Sequence, residues 1–105
     1  MSCLHLVSGD RLKRKLEQSA AAADCTIDWM VERTSQWHST TLVGGRHAFT
    51  LLLAGVSGRA WLEDLDEHSF RVPGFALAQL DVGTVEEKQP GQLLVEIEAI
   101  TIKEV

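Results

Sequence analysis

From residue 24 onward, apolar side chains recur at every second position in run after run. Cys25, Ile27, Trp29 and Val31 share one parity, while Thr26, Asp28 and Glu32 share the other. A period of two marks a strand with one dry face and one wet face. The pattern predicts strands over residues 25–33, 37–43, 46–54, 75–87 and 92–104. Gly44-Gly45 separates two of these runs and suits a type I′ hairpin turn, which needs positive φ at both central residues. In that register Leu42 faces His47, Thr40 faces Phe49, His38 faces Leu51 and Trp37 opposes Leu52. The alternative is one long strand carrying a glycine bulge. The last two runs are joined across residues 88–91. Within the final run Val95, Ile97 and Ala99 share one parity and Ile100 and Ile102 the other. Such a switch implies a bulge, or burial on both faces toward the end.

Two stretches follow a helical period instead. Leu12, Leu16, Ala20 and Ala23 are spaced by four, four and three, which predicts a helix over residues 10–23 with Ser8 or Asp10 as its cap. Residues 1–8 are expected to be flexible. A second helix is predicted over residues 55–69, capped by Ser57, with Trp61, Leu62 and Leu65 as its apolar stripe. Its acidic end, near Glu67, opposes the helix dipole, so the helix should be short and frayed there. Pro73 disfavours helix before it, and Pro73-Gly74 reads as a type II turn.

The order is therefore α-β-β-(β)-α-β-β. It predicts a single α+β domain over residues 1–105: an antiparallel sheet of four or five strands with two helices packed on one face. The chain has 105 residues, and its 45% hydrophobic and 24% charged composition is that of an ordinary globule. No apolar run is long enough to cross a bilayer, and the first residues lack the charge pattern of a signal peptide, so a cytoplasmic location is expected. Two cysteines, Cys3 and Cys25, do not make a disulfide framework. The net charge of −5 argues against nucleic acid as a partner, because phosphate attraction carries most of that affinity. The charge is uneven. Residues 1–55 hold six basic and five acidic side chains, and residues 56–105 hold four and ten. That asymmetry can favour self-association.

Few residues point to chemistry. His5, His38, His47 and His68 show no metal-ligand spacing, and in the hairpin register His38 and His47 lie roughly 13 Å apart at ~3.3 Å per residue. Neither a metal nor another cofactor is expected. Cys25 sits at an apolar position with no thiolate-stabilising neighbour in sequence. Gly55-Val56-Ser57-Gly58 fails both as a nucleophile elbow and as a phosphate loop. Glu63 with Glu67, and Glu96 with Glu98, read as solvated carboxylates, and the basic side of the first helix reads as its outer surface.

One signal remains. Trp37 falls on the parity away from His47 and Phe49, and with Val43, Leu52 and Ala54 it would give the wet face an apolar patch. Patches of this kind mark interfaces, and aromatic residues are enriched at their centres. The expected function is a non-catalytic interaction module, most simply a homodimer, with Trp37, Val43 and Leu52 at the interface. Two alternatives are a ligand pocket between helix and sheet with His38 and His47 at its mouth, and a component of a larger assembly that binds another protein.

Overall fold

A computed structural model describes residues 3–104. Met1 and Ser2, part of the segment expected to be flexible, lie outside the described residues. The elements are α1 (Leu4–Ala22), β1 (Thr26–His38), β2 (Val43–Ala54), α2 (Gly58–Asp64), β3 (Phe75–Gln89) and β4 (Gln92–Lys103). The four strands form one antiparallel sheet in the order β1-β2-β4-β3. The architecture is α+β, as the alternation predicts.

α1 begins at Leu4, six residues earlier than its leucine spacing suggests, so residues 4–8 are helical. Its buried stripe is Ser8, Leu12, Leu16 and Ala20, an unbroken step of four. Ser8 was expected as a cap because serine competes with the helix backbone for hydrogen bonds. Here it lies inside the helix and donates to the His5 carbonyl at 3.1 Å. Three hydrogen bonds close the other end: Ala23 N–H to the Ala20 carbonyl, Asp24 N–H to Ala21, and Cys25 N–H to Ala20. Asp24 takes a left-handed φ of 58°. This is a Schellman cap with aspartate in the place glycine usually fills.

β1 corrects the first strand reading. Met30 is an extra residue, and the register with β2 shifts between Trp29 and Val31. The bulge reverses the parity of everything beyond it. Ile27 and Trp29 face the helices, but Val31 faces away and is 47% exposed. The strand then runs on through the polar residues Thr34, Ser35 and Gln36 to His38, where the alternation pattern had placed a break.

The hairpin at Gly44-Gly45 is also corrected. The turn spans residues 39–42, held by Ser39 N–H to the Leu42 carbonyl at 2.8 Å and Leu42 N–H to the Ser39 hydroxyl at 3.2 Å. Both glycines lie inside β2, in unbroken register with β4, so the bulge alternative fails there as well. They are needed for space. A Cβ on Gly44 would stand 1.9 Å from the Thr101 carbonyl oxygen of β4, and one on Gly45 would stand 2.9 Å from the His47 ring. Trp37 therefore pairs with Gly44, and Leu52 pairs with Asp28 near the other end of the sheet.

The helix-side core is built from Phe49, Leu51 and Leu53 of β2 and Val95, Ile97 and Ala99 of β4, under Leu12 and Leu16 of α1. Trp29 meets Phe49 edge-on at 5.3 Å between centroids. α2 is only seven residues long and ends at Asp64. Ser57 stands at its N-cap position without a side-chain cap hydrogen bond. Trp61, Leu62 and Leu65 are buried as their spacing implies, and the Trp61 indole N–H donates to Ser19 of α1 at 2.9 Å. Gly58 packs over Leu53 and Leu93, so both helices cover the same face. At the expected type II turn, Gly74 has φ 81° and Phe75 N–H donates to the Val72 carbonyl. β4 keeps its register with β2 throughout, so the parity switch at Ile100 is burial on both faces and the irregularities lie in β3.

Candidate functional site

Two features stand out: a polar cluster sealed inside the molecule, and the sheet face that the helices leave bare.

The cluster centres on His47, which is buried together with Ser8 and Thr101. Its Nε2 lies 2.9 Å from the Thr101 hydroxyl and 3.3 Å from that of Ser8, and its Nδ1 lies 3.4 Å from the Thr34 hydroxyl. Thr101 donates to Ser8 at 3.0 Å, and Ser8 donates to the His5 carbonyl. With both hydroxyl protons committed, the network assigns the imidazole proton to Nε2, which donates to Thr101. Nδ1 then accepts from Thr34. Gly45 leaves room for the ring, since a Cβ there would stand 2.9 Å from it, and Gly9 packs alongside. Burial pulls the His47 pKa down to about 4, with a smaller push from His5 and a small opposing pull from Glu32. A serine nucleophile needs an unprotonated nitrogen facing its hydroxyl. Here the serine proton points to a backbone carbonyl, the facing nitrogen carries its own proton, and the serine is enclosed. The arrangement neutralises polar groups within the core and joins α1, β2 and β4.

Ser8 and Thr101 both lay on apolar parities: Ser8 four residues before Leu12, and Thr101 two residues after Ala99. That placement was the available signal for a buried hydroxyl.

The bare face reads in rows across the strands in the order β1, β2, β4, β3. The first is Trp37, Gly44, Ile102 and Ala76; the next is Ser35, Arg46, Ile100 and Gln79. Then come Arg33, Ala48, Glu98 and Asp81, followed by Val31, Thr50 and Glu96 with Thr84, whose hydroxyl donates to Glu96 at 3.2 Å. The next row is Asp28, Leu52, Leu94 and Glu86, and the last is the mainly polar Thr26, Ala54, Gln92 and Gln89. Apolar side chains thus lie toward both ends, with charge between them. Both arginines belong to β1 and β2, and the acids of the middle rows belong to β4 and β3. Among the described residues no acidic side chain lies within the 4.0 Å ion-pair distance of Arg33 or Arg46. The small residues of β2 leave shallow troughs, one of about 280 Å³ between Arg33 and Glu96 and one of about 430 Å³ between Arg46 and Gln79.

Trp37 and Leu52 lie on this face as their parity required, but at opposite ends of it, because the turn falls at residues 39–42. Val43 has the parity of His47 and belongs to the other face, beyond the helix cover and 37% exposed. His38 is exposed at the tip and pairs with Val43, four ladder positions from the enclosed His47, so the structure does not bring the two histidines to one pocket. Cys25 is buried against Gly55, and desolvation, with help from Asp24, raises its pKa. Among the described residues no three His, Cys, Asp or Glu side chains converge as a metal site, and no helix is long and apolar enough to cross a membrane. Comparison with family models, with curated proteins and with solved structures finds no match to this chain.

Proposed function

We propose that this chain is a non-catalytic association module that works as a homodimer through the bare face of its sheet. The observation that carries this reading is the face itself. Four strands long enough to form a two-layer packing have helices on one side only, and the other side presents Trp37, Ile100, Ile102, Leu52 and Leu94 half-buried among charges. Sheets with an apolar face pack against a second layer ~10 Å away, and a second copy supplies one. With strands about 4.8 Å apart and ~3.3 Å of rise per residue, the five rows from Trp37 to Asp28 span on the order of 550 Å² per copy. A pair would bury roughly 1,100 Å², above the size of most incidental contacts.

Edge pairing is the weaker route. β4 lies inside the sheet, and the outer strands are irregular: β1 carries the Met30 bulge and β3 shifts register three times. Bulges blunt an edge against pairing with another chain. A cytoplasmic location accords with two unpaired thiols.

Sedimentation velocity at tens of micromolar tests the reading. We expect twice the 11.6 kDa chain mass. A species that stays at one chain mass across that range overturns it.

A further inference from the structure

The separation of charge on the bare face carries a more specific conclusion, which rests on the dimer reading above. We infer that the two copies are related by a two-fold axis running parallel to the strands, so that β1 of each copy lies on β3 of the other and β2 lies on β4.

Two face-to-face sheets can be related by an in-plane axis along the strands or across them. An axis across the strands keeps each column on itself and reverses the rows, so with the axis at the Arg33 row Arg33 would face Arg33, Asp81 would face Asp81 and Glu98 would face Glu98. An axis along the strands exchanges the columns and leaves the rows in place. Arg33 then faces Asp81 of the second copy, and by symmetry Asp81 faces Arg33. Both side chains are exposed in the single chain, and Arg33 has no acidic neighbour within ion-pair distance there.

Shape follows the same exchange, with Arg46 brought over Ile100 one row from Glu98. Gly44 and Ala48, the small positions of β2, come to lie beneath Ile102 and Glu98 of the second copy, so the β4 ridge enters the β2 trough. Leu52 meets Leu94, an apolar pair. Asp28 and Glu86 are the one like-charged crossing, and both are exposed on the outer strands, where water and salt screen them. Opposite charges placed across an interface fix its register and exclude the wrong one.

The test is a charge swap read by sedimentation and by size-exclusion chromatography with light scattering. Arg33→Glu alone sets acid against Asp81, and Asp81→Arg alone sets arginine against Arg33. We expect each variant by itself to dissociate at least about tenfold more readily than the unaltered chain. An equal mixture of the two should recover a dimer, because both crossings in the mixed pair then join opposite charges. Circular dichroism checks that each variant is folded. If the unaltered chain is a dimer and the mixture fails to recover one, or the single variants dimerise undiminished, the axis is wrong and the dimer reading stands. If the unaltered chain is a monomer, the dimer reading falls and takes the axis with it.

Discussion

At the residue scale, His47 has a consequence in solution. Its pKa is lowered to about 4 in the folded chain, chiefly by burial, against ~6.5 when unfolded. Between those values the unfolded chain binds a proton that the folded chain refuses, so stability rises with pH across that window. The contribution is complete above about pH 6.5 and is lost as pH falls toward 4, to a total on the order of 3 kcal/mol. Urea unfolding at pH 7.5 and pH 4.5 should show this slope, and His47→Gln should flatten it while His5, His38 and His68 remain. A slope that survives unchanged in His47→Gln counts against the assignment. Gly44 makes a steric prediction. A methyl group 1.9 Å from the Thr101 carbonyl oxygen would force β2 away from β4, so Gly44→Ala should cost about 2–4 kcal/mol in chemical denaturation. An alanine variant of undiminished stability would show that the strands have room to spare.

At the element scale, the cap of α1 can be improved. Asp24 holds a left-handed backbone and places a carboxylate at the negative end of a helix dipole. Asp24→Gly should raise the thermal midpoint, by up to about 1 kcal/mol in stability. An unchanged or lower midpoint would mean that the aspartate makes a compensating contact. Most elements were legible because their central stretches are periodic: His47, Phe49 and Leu51 in β2 and Val95, Ile97 and Ala99 in β4 alternate, and Trp61, Leu62 and Leu65 mark α2. The errors come from residues whose usual role was overridden. Ser8 reads as a cap until His47 and Thr101 give its hydroxyl partners in the core. Gly44-Gly45 reads as a turn until β4 crowds against it. Met30 is hydrophobic like its neighbours, and nothing local reveals that it is the extra residue that turns Val31 outward.

At the scale of the whole molecule, the fold class followed from the order of periodic segments, but the strand order did not. Which strand enters the middle depends on contacts such as Phe49 with Ile97 and Gly44 with Ile102, far apart in the chain. The candidate surface was half legible for the same reason. Parity placed Trp37 and Leu52 on the bare face, yet their separation depends on where the turn falls. The charged columns arise because Arg33 and Arg46 of β1 and β2 point to the bare face while the acidic second half supplies β3 and β4. The uneven charge was visible in the sequence; its layout as opposed columns requires the β1-β2-β4-β3 order.

That order also governs synthesis. β4 is the last of the four strands to leave the ribosome, yet it fills the centre of the sheet. Until it emerges, β2 presents a naked inner edge and the His47 imidazole lacks its Thr101 acceptor. A nascent chain halted near residue 90 would thus be a half-finished sheet open to capture by a chaperone, or by the β4 of another copy inserted as an exchanged strand.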